Sequence, residues 1–154
     1  MIPRGLIKLF STFFYLGYLP PFPGTYASLA GVMVYLIISA NNSLYYLITA
    51  FVLILGLAIT SRAEIIFEKK DPRCIVIDEV AGVLICYLFM PVDIKLIFIG
   101  FILFRVMDAL KPYPANLIQR FKGSIGVMGD DIVAGLYTNL LLQLLIKFTS
   151  FRTS

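Results

Sequence analysis

Residues 44–62 read LYYLITAFVLILGLAITSR. No charged side chain interrupts the run before Arg62. A stretch this long, with no polar stripe, fits a helix surrounded by apolar material on all sides. Its flanks differ in charge. Asn41–Ser43 carries none, whereas the segment from Arg62 to Arg73 holds Arg62, Lys69, Lys70 and Arg73. Four more apolar segments accompany it: Tyr26–Ala40, Ile75–Met90, Ile94–Met107 and Ile132–Phe148. Several are shorter than the roughly 20 residues of a full bilayer span.

The connections repeat the asymmetry. With the N-terminus in the cytoplasm, the segment from Pro91 to Lys95 lies outside and contributes one basic residue, Lys95. The segment from Asp108 to Asp131 lies inside and carries Lys111, Arg120 and Lys122. This is the alternation the positive-inside rule expects, and only Lys147 and Arg152 run against it. Met1–Tyr18 mixes Leu6, Ile7, Leu9, Phe10, Phe13 and Phe14 with Arg4 and Lys8, which predicts an amphipathic helix on the membrane surface. That segment lacks a long apolar stretch with a small-residue cleavage site, so it does not read as a cleaved signal peptide. Three prolines and two glycines in GYLPPFPGT, residues 17–25, then end any helix. The expected fold is all-α: a small multi-span helical membrane bundle with an N-terminal amphipathic helix, one domain over residues 1–154.

Composition agrees. The chain is 60% hydrophobic and 14% charged, against about 45–50% and about 25% for soluble domains. A soluble bundle would have to hide such faces by forming homo-oligomers. The net charge of +4 is too small to argue for nucleic acid and suits anionic lipid headgroups. Cys74 and Cys86 match no metal or redox spacing. The chain has no histidine, which excludes a phosphohistidine, a histidine base and histidine-ligated metals. Cys-x5-Arg and Asp-x-Asp phosphatase signatures are also missing. Any hydrolysis must therefore rest on carboxylates, hydroxyls, basic residues and a metal.

The acids are few, and the predicted topology gathers most of them at one boundary. IDEVAG places Asp78 and Glu79 at the start of an apolar segment, with Gly82 leaving room beside Asp78 for a helix or ligand. Stabilisation of the helix dipole is the simpler explanation of these two acids. FRVMDALKPYP sets Arg105, Asp108 and Lys111 three apart along one helical face. They form either a solvated ion-pair face, or a site in which Asp108 holds a metal and Arg105 or Lys111 holds phosphate oxygens. GSIGVMGDDIVAG reads as a glycine-rich loop ending in Asp130 and Asp131 at a helix start, one capping the helix and the other facing the site. Before Tyr26, Thr25 or Ser28 can cap a helix whose N-terminus, preceded by Gly24, also suits a phosphate. Oxygen-only ligands favour a hard cation, Mg2+ above all.

Taken in order, PFPGTYASLAG, DPRCIVIDEVAG, FRVMDALKPYP and GVMGDDIVAG resemble the phosphatidylglycerophosphatase A family, from about Gly17 to Tyr137. The resemblance implies an Mg2+-dependent phosphomonoesterase. It would convert phosphatidylglycerophosphate to phosphatidylglycerol at the inner face of the bacterial cytoplasmic membrane. It carries over Asp78, Glu79, Asp108, Asp130 and Asp131 as acidic site residues, with Thr25 and Lys111 as polar partners. Two other classes compete: a cation transporter lined by the same acids, and a structural membrane subunit. The transporter is disfavoured because the segment centres lack ionisable groups. The subunit leaves the acid clusters unexplained.

Overall fold

The computed structural model describes residues 2–149, and among these every regular element is helical. The helices are α1 (Arg4–Ser11), α2 (Pro23–Ile38), α3 (Asn42–Ile66), α4 (Ile77–Cys86), α5 (Ile94–Leu110), α6 (Ala115–Ile118) and α7 (Ser124–Thr149). Their starts follow from local chemistry. Pro23 occupies the first turn of α2, where its missing N–H costs nothing. Asn41 caps α3 by accepting from the Leu44 N–H at 3.1 Å, and Asp93 caps α5 by accepting from Lys95 and Leu96.

α4 is the central pillar. Every residue in it except Glu79 is buried, which explains why its sequence shows no polar stripe. α2, α3, α5 and α7 pack around it. α3 buries Tyr45, Thr49, Val52, Gly56, Ile59 and Ala63 along one face. Its opposite face is equally apolar, with Leu47, Phe51 and Ile54 each at least 60% exposed. α7 repeats the pattern, burying Met128, Ala134 and Leu142 while exposing Leu136, Leu140 and Leu144. Among the described residues, α3 and residues 124–148 of α7 are the two helices long and apolar enough to cross a bilayer. A helix that is apolar on both faces fits a core on one side and hydrocarbon on the other. The architecture is a small helical bundle of membrane type.

A helix of ten residues that ends inside a bundle leaves carbonyls without partners. Here side chains supply the donors. Asn139 of α7 donates to the carbonyls of Cys86 at 2.9 Å and Leu88 at 2.7 Å, and Tyr45 donates to that of Leu84. Contact between α4 and α7 is close because glycine faces glycine. A Cβ on Gly82 would meet the Asp131 carbonyl at 2.7 Å, and one on Gly135 would strike the Gly82 carbonyl. Small residues at such crossings let backbones approach where no hydrophobic effect drives association.

Several expectations change. The amphipathic helix covers only Arg4–Ser11, because Phe13, Phe14 and Tyr15 take positive φ and turn the chain into a short 3-10 turn at Leu16–Tyr18. The segment at 75–90 is helical only over Ile77–Cys86. The glycine-rich stretch before Asp130 is not a loop, since α7 begins at Ser124 and contains Gly126 and Gly129. Those glycines serve packing: a Cβ on Gly126 would strike the Phe121 carbonyl three residues past α6, and one on Gly129 the Ile118 side chain at the end of α6. Asp130 and Asp131 consequently sit in the second turn of α7 and do not cap it.

Candidate active site

Asp78 and Glu79 occupy the first turn of α4, and the glycine crossing delivers Asp131 from α7 beside them. One carboxylate oxygen from each of Asp78, Glu79 and Asp131 lies within 4.8 Å of the other two. Asp78 and Asp131 are buried, and Asp78 Oδ1 and Glu79 Oε2 are enclosed without a hydrogen-bond partner. Magnitudes separate the two readings of these acids. A helix N-terminus stabilises an acid by about 0.3–1 kcal/mol. Two ionised carboxylates at this spacing would repel by roughly 3 kcal/mol per pair at an effective dielectric of about 20. The dipole alone does not balance three of them. An all-oxygen donor set with unclaimed lone pairs fits a hard divalent cation.

The neighbouring acids are tied to cations. Arg105 Nη1 bonds Asp108 Oδ2 at 2.8 Å, and Lys111 Nζ bonds Asp130 Oδ2. Asp108 also acts electrostatically on Glu79 and Asp131, so it borders the triad. Lys111 caps α5 in the left-handed conformation with φ 44°, which turns the chain toward Pro112 and the amine toward α7. Partial burial works to lower its pKa. The hydrogen bond and charge of Asp130, with Asp131 and Asp108 behind it, outweigh that effect and hold the amine above its ordinary value.

A cavity of about 360 Å³ opens beside the triad, lined by residues 21–25 together with Arg73, Glu79 and Arg105. Gly24 makes the approach possible, because a Cβ there would stand 2.5 Å from Glu79 Oε1. Neither Thr25 nor Ser28 caps α2. Ser28 Oγ donates instead to the Gly24 carbonyl at 2.8 Å and accepts from Arg105 at 3.3 Å, so it helps to hold the guanidinium.

The fold thus brings Asp78, Glu79 and Asp131 together, with Asp108 beside them. It places Thr25 and Arg105 on the adjoining cavity, and Lys111 with Asp130 at its own ion pair. Arg73 is the cavity residue that sequence reasoning counted only as loop charge. The signal was its place in DPRCIVIDEVAG, five residues before Asp78.

Residues 9–146 match the family model for phosphatidylglycerophosphatase A. The chain belongs to the phosphatidylglycerophosphatase A family. Among curated relatives of that name, the protein from Escherichia coli K12 is 34% identical over 77% of this chain and 71% of its own length. The one from Haemophilus influenzae is 30% identical over 88% of this chain and 86% of its own. A Bacteroides thetaiotaomicron protein, provisionally named a phosphatidylinositol-3-phosphatase, is 31% identical over 91% of this chain and 93% of its own. No solved structure matches the chain. All four motifs, three of them acid-bearing, fall within the residues matched to the family model.

Proposed function

We propose that this chain hydrolyses the terminal phosphomonoester of phosphatidylglycerophosphate, giving phosphatidylglycerol and inorganic phosphate, with Mg2+ as cofactor. The observation that carries the reading is the triad of Asp78, Glu79 and Asp131, with unpartnered oxygens on Asp78 and Glu79, meeting through Glu79 a cavity that contains Arg105 and Thr25. Family membership supplies the class of reaction. Mg2+, when bound by the triad, supplies positive charge to the phosphoryl oxygens.

The rest of the chemistry belongs to this chain's side chains. Phosphoryl transfer depends mainly on positioning and electrostatics. Arg105, anchored by Asp108 and Ser28, keeps N–H donors directed at the cavity for the non-bridging oxygens. Thr25, which lines the same cavity, offers a hydroxyl. Asp108 and Asp130 position Arg105 and Lys111, which keeps those two cations from wandering onto the triad. As the water oxygen forms the new bond to phosphorus, the bond to glycerol breaks, and one proton of the water ends on the leaving oxygen, giving the free hydroxyl and inorganic phosphate.

The bundle is multi-pass, with this end in the cytoplasm. Apolar faces on α2, α3, α5 and α7 surround the pillar, while Arg62, Lys69, Lys70, Arg73, Lys111, Arg120 and Lys122 collect at the end that holds the triad. Acyl chains can then remain in hydrocarbon while the headgroup reaches the acids. The Bacteroides relative's name favours one second reading, a phosphoinositide monoester. Purified protein in mixed micelles should release phosphate from phosphatidylglycerophosphate only when Mg2+ is present. Faster release from phosphatidylinositol 3-phosphate would transfer the assignment to that lipid, and release from neither would end the phosphatase reading.

A further inference from the structure

Arg73 has no role in the chemistry above, although it shares the cavity with Glu79 and Arg105. The other cations at the site are engaged, Arg105 with Asp108 and Lys111 with Asp130. Arg73, by contrast, is exposed and makes no hydrogen bond or ion pair among the described residues. A guanidinium left free at a cavity lip offers a planar fork of donors that matches a phosphate. The cavity already holds the Glu79 carboxyl, one of the three candidate cation ligands, so the monoester belongs beside it only alongside the cation. A free arginine at the lip therefore serves an anion farther out.

The proposed substrate has such an anion. One glycerol unit from the reacting monoester lies a second phosphate, the diester that joins the headgroup to diacylglycerol. Phosphatidylinositol 3-phosphate also pairs a diester with a monoester. Resting on the phosphatase reading, the geometry points to Arg73 as the residue that holds the diester phosphate and so selects lipids carrying two phosphates. A lipid whose monoester sits directly on diacylglycerol, such as phosphatidic acid, has nothing to offer it. Arg73 is a specificity residue that acts through substrate affinity and leaves the bond-breaking step to the buried acids.

The test separates the subsite from the reaction. Dihexanoyl phosphatidylglycerol, which carries the diester alone, is titrated calorimetrically into the full chain in detergent micelles, with uncharged dihexanoylglycerol as the reference. Arg73→Gln should weaken binding of the phospholipid about tenfold, the scale of a charged hydrogen bond lost, and Arg73→Lys should recover part of it. Dihexanoylglycerol binding should not change. In turnover, Arg73→Gln should raise KM for phosphatidylglycerophosphate by a similar factor with kcat kept, and should leave phosphatidic acid hydrolysis as it was. The proposal is overturned by undetectable phosphatidylglycerol binding in the unsubstituted protein, by equal binding in Arg73→Gln, or by equal losses on both lipids. Arginine-dependent binding without phosphate release from phosphatidylglycerophosphate or phosphatidylinositol 3-phosphate would leave the subsite standing and end the phosphatase reading. Normal phosphate release with unchanged binding in Arg73→Gln would do the reverse.

Discussion

Glu79 meets the cavity only because position 24 lacks a side chain. A Cβ at Gly24 would lie 2.5 Å from Glu79 Oε1 and must displace that carboxylate, since α2 backbone cannot yield easily. Alanine is the better helix former by about 1 kcal/mol, so Gly24→Ala should leave the melting temperature unchanged or raised. Displacing a positioned group by a fraction of an ångström should still cut turnover by roughly 10–100-fold. Parallel thermal melts and phosphate-release assays check this, and an active Gly24→Ala protein would show that Glu79 need not face the cavity. At this scale the sequence was only partly legible. It exposed every acid of the cluster because charges are rare in an apolar chain. It offered the Arg105–Asp108 pair as one of two readings, but not the second pair, because Lys111 and Asp130 are nineteen residues apart and meet only through the fold. Arg73 stands in DPRCIVIDEVAG, but its place at the cavity is made by the fold and not by a neighbour in sequence.

Among the elements, α3 and α5 lie close to where hydropathy puts them, since uniform apolar runs bounded by Asn41 or Asp93 leave little choice. The elements that build the site were harder to read. Glycine signals loops in most sequences, yet Gly126 and Gly129 are helical and buy contact with α6. The pillar α4 stops early because Asn139 and Tyr45 satisfy its last carbonyls, a long-range arrangement with no local mark. Asn139→Leu should remove those donors and destabilise the fold by about 1–3 kcal/mol, measured by denaturant unfolding in micelles. Little change in stability would mean that water reaches the end of α4, and with it the interior of the bundle.

For the whole molecule, length and composition select two crossing helices, while charge distribution argues for more. Exposed apolar side chains on α2 and α5, among them Ile37 at 74% and Phe98 at 67%, lie on helices of 16 and 17 residues. Such helices rise about 24–26 Å, close to the hydrocarbon thickness of about 30 Å. Single cysteines at Asn42 and Lys122, in a Cys74→Ser, Cys86→Ala background, should therefore label from opposite sides of sealed vesicles. Labelling of both from one side would mean that α3 and its successors do not cross as proposed.

The central claim is that Asp78, Glu79 and Asp131 form one divalent-cation centre responsible for phosphate release. Its most direct test is phosphate release per folded molecule across an Mg2+ titration, starting from chelator-stripped protein. Asp78→Asn and Asp131→Asn are measured beside the unsubstituted chain, with Lys95→Gln at the far end as control. The account predicts no release in excess chelator, full recovery with Mg2+, and losses of at least about 100-fold in both Asn variants, roughly 2.7 kcal/mol of transition-state stabilisation. Lys95→Gln should behave like the unsubstituted protein. Full activity in chelator, or near-normal turnover in both Asn variants, would contradict it.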